Sequence, residues 1–488
     1  MPERRPNILF VMADQLTASA LPFHGGPADA PTLEQLADEG VVFDSAYCSF
    51  PLCAPSRASL LTGRLPSRLG VYDSGAEFGA SFPTVAHHLR DRGYATCLAG
   101  KMHFIGPDQL HGFEERLTTD VYASGIDWTP DWSLPLTEPL PWYHDMSSIF
   151  EAGPSEATLQ LDYDEEVAFR SVRKIYDFAR EGDRPFFLLV SFTHPHDPYC
   201  APRKYLNMYR DVEIPMPWPY DDIRKLSPTY EWVRIVHGLD KETPSPEKVR
   251  EARRCYLAMC TWIDDRIGNL LAEVERLGLA RDTLIVLTSD HGDMCGEKGQ
   301  WFKRIYLEWS ARVPLIASWP GRIPAGKRVA APVSLVDLLP TFAEAAGARV
   351  DTHIDGRSLL PLAEGREDGR DREVIGEYFG EATIEPVRML RRGDYKYIVT
   401  HEYAPQLYDL RRDPAESANV AGRPECRAAE ANLRSRIEKD WDPAGLKRRV
   451  MTSHAEREFL RSIPDYLVAG LWQPKVAEPV ITDESAWR

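Results

Sequence analysis

A chain of 488 residues exceeds what one ordinary hydrophobic core supports, so a large domain with a smaller partner is expected. Its 43% hydrophobic and 27% charged residues describe a soluble globular protein, and no apolar run is long enough to span a bilayer. Lysine plus arginine number 58 against 74 aspartate plus glutamate; the formal charge of −16 repels phosphate backbones and excludes a general nucleic-acid binder, so any anion site must be a local basic cluster.

Residues 7–12 form a continuous apolar run that stops at Asp14 and Gln15. This reads as a central strand covered on both faces rather than a signal peptide, so a cytoplasmic location is expected unless an export signal has been removed. Pro31 opens a helix that Gly40 closes, and a second helix begins near Cys53-Ala54-Pro55. Residues 95–99 are a strand ending at Gly100-Lys101-Met102-His103. A helix over 165–180 precedes a strand over 186–192, which ends at His194-Pro195-His196. From 246 to 277, apolar residues recur at alternating spacings of three and four, the pattern of a long amphipathic helix closed by Gly278. A strand over 283–288 then ends at Ser289-Asp290-His291-Gly292.

Strand after strand ends in Asp, His or Lys, with helices between. The fold expected is α/β: a doubly wound mixed sheet sandwiched by helices, with functional groups gathered at the carboxyl edge of the strands. A charged linker at 364–371 separates it from short strand-like segments at 374–378, 387–390 and 395–399 and a helix near 426–439. The expected organisation is a catalytic domain over 1–365, a small C-terminal α+β domain over 366–450, and a tail over 451–488.

The eight cysteines contain no C-x-x-C pair, so neither a zinc knuckle nor a redox motif is expected. Most sit in apolar segments, as buried thiols do. Asp14 and Gln15 after the first strand, with Asp290 and His291 after the late one, offer a ligand set for a divalent ion. Hard oxygen ligands suit calcium or magnesium, and a histidine tolerates manganese or zinc. The rival reading of a strand-end aspartate is a helix cap.

Cys53-Ala54-Pro55-Ser56-Arg57, followed by Leu61, Gly63 and Arg64, resembles the signature of type I sulfatases, members of the alkaline phosphatase superfamily. The resemblance implies that a dedicated formylglycine-generating enzyme oxidises Cys53 to formylglycine. One hydroxyl of the hydrated aldehyde then attacks sulfur, and the other expels sulfate. It also implies that Asp14, Gln15, Cys53, Asp290 and His291 hold one divalent metal, calcium first, magnesium or manganese next. Gly100-Lys101-Met102-His103, Pro195-His196 and Trp301-Phe302-Lys303 match further family motifs. By resemblance Asp290 takes the proton from the nucleophile, His196 and Lys303 serve the leaving oxygen, and His103 assists collapse of the covalent intermediate. Arg57 and Lys101 fix the modified residue.

Residues 65–73 and 100–120, together with Trp128-Thr129-Pro130-Asp131, Trp142-Tyr143-His144 and 191–199, resemble the choline sulfatase branch. Choline-O-sulfate is therefore the expected small-molecule ester. A quaternary ammonium wants aromatic faces and a carboxylate, each cation–π contact being worth about 0.5–2 kcal/mol. Trp128, Tyr143, His144, Asp145 and Glu381 are the candidates, with Ser74 standing where that branch has Asn. The family assembles as homo-oligomers, dimers or tetramers, in which the tail reaches a neighbouring subunit; Glu478, Asp483 and Glu484 are the acidic residues available here. The Asp-Gln and Asp-His pairs also resemble phosphonate monoester and phosphodiester hydrolases, the second reading. Other alkyl or aryl sulfates, and a non-catalytic binder of a sulfated metabolite, are the remaining ones.

Overall fold

The computed structural model describes residues 5–121, 125–133, 136, 146–218 and 227–463. Ten strands precede the C-terminal sheet among these residues: β1 (Asn7–Ala13), β2 (Val41–Tyr47), β3 (Ala95–Gly100), β4 (Glu115–Arg116), β5 (Gly153–Pro154), β6 (Phe186–Ser191), β7 (Cys200–Ala201), β8 (Thr283–Ser289), β9 (Leu315–Ser318) and β10 (Lys327–Ser334). Eight of them form one sheet in the order β10-β2-β9-β8-β1-β6-β3-β4, while β5 and β7 pair separately. Within the large sheet only β9 runs antiparallel to its neighbours, which makes the sheet mixed.

β1 lies at the centre because both its faces are apolar. Ile8, Phe10 and Met12 enter one core, with Leu60 and Leu61 of the helix Cys53–Thr62 and Phe342 of the helix Leu338–Ala345. Leu9 and Val11 enter the other, with Leu36 of Pro31–Glu39, Ile175 of Leu159–Glu181 and Ile263 of Pro246–Arg276. Alternate residues of one strand thus face two helical layers, as doubly wound sheets require. Because β1, β3, β6 and β8 are parallel, their carboxyl ends meet at one edge.

A second sheet, β11 (Glu373–Tyr378), β12 (Val387–Arg392), β13 (Tyr395–Thr400) and β14 (Gln406–Asp409), is antiparallel throughout. Leu390, Tyr397 and Leu407 on one face pack against Leu433 and Ile437 of the helix Arg427–Glu438. Met389, Ile398 and Tyr408 on the other face join the main core.

Three differences from the expected elements have a clear physical reason. The helix expected at 165–180 begins at Leu159, capped by Thr158, whose hydroxyl accepts from the Leu161 amide at 3.1 Å; its acidic first turns mask the apolar period. β2, β9 and β10 were not foreseen, because Asp44-Ser45 and Pro332 interrupt the strand pattern and β9 is only 4 residues long. A tail beginning at 451 would cut the helix Pro443–Ser462 in its middle.

Candidate active site

Four strand ends and one helix start converge at the carboxyl edge. β1 delivers Asp14 and Gln15, β3 delivers Lys101 and His103, β6 leads to His196, and β8 delivers Asp290 and His291. Cys53 is the first residue of its helix, where the unpaired amides favour developing negative charge. Gly100 is obligatory: its φ is +104°, and a Cβ there would sit 1.8 Å from the Ser191 carbonyl oxygen.

Ligand atoms of Asp14, Cys53, Asp290 and His291 all lie within 4.8 Å of one another, and all four residues are buried. Cys53 Sγ is 3.1 Å from His291 Nε2 and 3.8 Å from Asp14 Oδ1. Arg57 straddles the carboxylates, Nη2 at 2.9 Å from Asp14 Oδ2 and Nε at 2.8 Å from Asp290 Oδ2. Lys101 Nζ is 2.6 Å from Asp14 Oδ2. Burial alone would raise the Asp14 carboxyl, yet Lys101 and then Arg57 outweigh it and hold it well below the usual range. Burial, reinforced by Asp14, pushes the Cys53 thiol up to about 12. Burial lowers His291 to about 4, so its ring is neutral.

These features fit a divalent cation. Two carboxylates supply hard oxygens. The neutral His291 donates from Nδ1 to the Gly292 carbonyl at 3.0 Å, which leaves the Nε2 lone pair aimed at the cluster.

Gln15 stands beside this group. Its amide donates to Asp293 Oδ2 at 2.6 Å and Asp197 Oδ1 at 3.1 Å, while its oxygen accepts from Lys303. Its φ of +64° carries the chain from β1 around the site, and its backbone N–H donates to Asp290 Oδ1 at 3.1 Å. Lys303 Nζ also lies 2.9 Å from His196 Nε2, whose Nδ1 donates to the Asp197 carbonyl at 2.7 Å. Burial and then the Lys303 charge keep His196 well below its ordinary value, so Lys303 is the donor of this pair. His194, two residues earlier, turns away to Asp164 at 2.7 Å.

A second group adjoins the first. His103 is buried and stands edge-on to the half-buried Trp128 ring, centroids 6.4 Å apart. The Ser74 backbone N–H donates to Glu381 Oε1 at 3.4 Å. Glu381 is 1% exposed, and its Oε2 has no hydrogen-bond partner among the described residues. Burial, then the nearby Asp73 charge, pushes its carboxyl up to about 8. Tyr143, His144 and Asp145 lie outside the described residues.

Sequence reasoning missed Asp293, Asp197 and Asp120. Asp293 receives Gln15, Tyr199 and Cys295; Asp120 Oδ1 accepts from the Met102 and His103 amides at 2.7 and 3.2 Å. Only Asp293 had a signal, being three residues beyond Asp290 on the same strand exit.

The site thus combines a buried thiol at a helix start, an acidic–imidazole donor set that could hold a metal ion, and flanking Lys and Arg side chains. The chain belongs to the sulfatase family, whose members hydrolyse sulfate esters: the family model described as Sulfatase matches residues 6–348. The model described as N-sulphoglucosamine sulphohydrolase, C-terminal, matches residues 296–442. The chain is 43% identical to a choline-sulfatase of Rhizobium meliloti (strain 1021), over 93% of this chain and 90% of that protein. It is 29% identical to an arylsulfatase of Clostridium perfringens (strain 13 / Type A), over 90% and 95%. Among solved structures, a phosphonate monoester hydrolase from Silicibacter pomeroyi superposes with a TM-score of 0.71 at 25% identity, covering 89% of this chain and 95% of that one. The doubly wound mixed α/β sheet expected from the strand ends is therefore the fold observed, and it is alkaline-phosphatase-like, as the family resemblance implies.

Proposed function

We propose that the protein hydrolyses choline-O-sulfate to choline and sulfate. The observation that carries the alcohol assignment is Glu381: a buried carboxylate with a partnerless oxygen, set beside Ser74. With the half-buried Trp128 it offers what a quaternary ammonium needs, an aromatic face and, once the carboxyl ionises, a negative charge. The choline-sulfatase relative supports the same reading.

In this proposal Cys53 is oxidised to formylglycine by a formylglycine-generating enzyme, and its hydrate supplies both the attacking and the expelling hydroxyl. A divalent metal, calcium first and magnesium or manganese next, supplies charge stabilisation when bound; Asp14, Asp290 and His291 hold it, with the modified Cys53 and Gln15 adjoining. The chain's own groups do the rest. Asp290 accepts the nucleophile's proton. Arg57 and Lys101 hold Asp14 ionised. Lys303 donates to the leaving oxygen, and His196, fixed by Asp197, orients it. His103 assists release of sulfate. The phosphonate monoester hydrolase reading remains the rival, and a substrate panel separates them: phosphodiester turnover far above sulfate ester turnover would sink the present one.

Trp128→Ala is expected to raise KM for choline-O-sulfate about tenfold while leaving KM for 4-nitrophenyl sulfate within about twofold, because a lost cation–π face weakens only the cationic ester. Equal changes would argue against the pocket.

Glu381 gives a pH signature. Its carboxyl is neutral below about 8 and gains its charge above. KM for choline-O-sulfate is therefore expected to fall as pH rises toward that value, by at most about tenfold per unit, and then level. KM for a neutral ester should follow a different, flatter profile, and Glu381→Gln should remove the difference. A KM ratio independent of pH contradicts the assignment.

We propose further that residues 1–365 form the catalytic domain and that a smaller one follows from 366, supported by the separate core around Leu390, Leu407 and Leu433. A cytoplasmic location is supported by cysteines that form no disulfide. No helix among the described residues is long and apolar enough to cross a membrane. A homo-oligomer rests on the family resemblance; residues 464–488, with Glu478, Asp483 and Glu484, lie outside the described residues.

A further inference from the structure

The pocket proposed for the alcohol is built on three loops far apart in sequence, and one helix ties all three together. Ser74 follows Asp73, Trp128 precedes Thr129, and Glu381 follows Gly380. The helix is Pro443–Ser462. Its Arg457 donates through Nη1 to Asp73 Oδ1 at 2.6 Å and through Nη2 to Asp73 Oδ2 at 2.7 Å. The same Nη1 donates to Thr129 Oγ1 at 3.0 Å. Nearly one turn earlier, His454 Nε2 lies 3.0 Å from Asp73 Oδ2. The His454 ring stands edge-on to Trp132, centroids 5.7 Å apart, and Trp132 Nε1 donates to the Gly380 carbonyl at 3.1 Å.

The clamp is buried and closely fitted. Asp73 is fully buried and Arg457 is 8% exposed. A Cβ on Gly75 would lie 2.8 Å from Arg457 Nη1 and 2.9 Å from the Thr129 nitrogen, so the two loops meet only because residue 75 has no side chain. The planar guanidinium matches the carboxylate at both oxygens, a match an ammonium does not reproduce. Outside its own helix, Arg457 donates to Asp73 and Thr129, neither of which belongs to the group of Asp14, Cys53, Asp290 and His291.

We propose that Arg457 is a positioning residue for the alcohol pocket: by joining Asp73 to Thr129 it fixes Ser74 and Trp128 at one separation, and so sets preference for a cationic alcohol rather than the rate of sulfate transfer. This rests on the choline reading above. Removing one partner of a buried ion pair leaves the other uncompensated, so the two loops must rearrange around Asp73. A displacement of about 1 Å in a positioning group costs up to roughly 10²-fold.

The test uses the full-length protein with Arg457→Met and Arg457→Lys, and measures kcat and KM for choline-O-sulfate, a neutral alkyl sulfate and 4-nitrophenyl sulfate. Arg457→Met is expected to raise KM for choline-O-sulfate about tenfold or more, with kcat for 4-nitrophenyl sulfate within about twofold. Arg457→Lys keeps a charge on Asp73 but loses the fork, so a smaller rise with the same selectivity is expected. If circular dichroism shows that the Met variant does not fold, the Lys variant carries the test. A wild-type preference for choline-O-sulfate that survives unchanged in the folded variants overturns this proposal alone. A wild-type enzyme that does not prefer choline-O-sulfate over the neutral alkyl sulfate overturns the choline reading and this proposal together.

Discussion

Cys53→Ala is expected to lower turnover of every sulfate ester by about 10⁴-fold or more, the scale on which loss of a nucleophile is felt. The fold should survive, because the helix Cys53–Thr62 is held by Leu60 and Leu61 in the core and by Gly63, whose N–H closes on Ser59 at 2.9 Å. The structure also separates the modified residue from the plain thiol. Burial and Asp14 push the thiol up to about 12, so at neutral pH an unmodified Cys53 is protonated and a poor nucleophile. Activity should therefore track the fraction of Cys53 converted to formylglycine, read by intact mass of the peptide that carries it. A preparation with unconverted Cys53 and full activity would overturn the nucleophile assignment.

Lys303→Met carries the second large effect. Lys303 sits between the Gln15 oxygen and His196 Nε2, and His196 is neutral with its own proton committed to the Asp197 carbonyl. The lysine is thus the proton donor of the pair. An alkoxide leaving group depends on such a donor, whereas 4-nitrophenolate departs with little help. The variant is expected to lower kcat for choline-O-sulfate about 10³-fold but for 4-nitrophenyl sulfate only about tenfold, a positioned acid being worth roughly 10²–10⁴. Equal losses on both esters would show that Lys303 serves the sulfate rather than the leaving oxygen.

Both expectations concern residues legible in the chain itself. Strand ends are local features: an apolar run followed by Asp-Gln, Lys-x-His or Asp-His marks its own position, and parallel strands bring such ends to one edge. That is why Asp14, Lys101, Asp290 and His291 stand out in the sequence as candidates. Local pattern failed where the partner is remote or the pattern is broken. β2 and β10 hide behind Asp44 and Pro332. Nor does local pattern show that the Gln15 side chain bonds to Asp293 and Asp197, 278 and 182 residues away.

The sequence by itself determined the sulfatase chemistry, because the motif around Cys53 and the strand-end Asp, His and Lys residues are short-range signals whose meaning survives without coordinates. Only the tertiary structure decided how the alcohol pocket is assembled. Ser74 meets Glu381 across 307 residues, and Asp73 meets Arg457 across 384. No periodicity reports such a pairing, since it is fixed by which loops the packed sheet brings together and by the need of a buried charge for a partner.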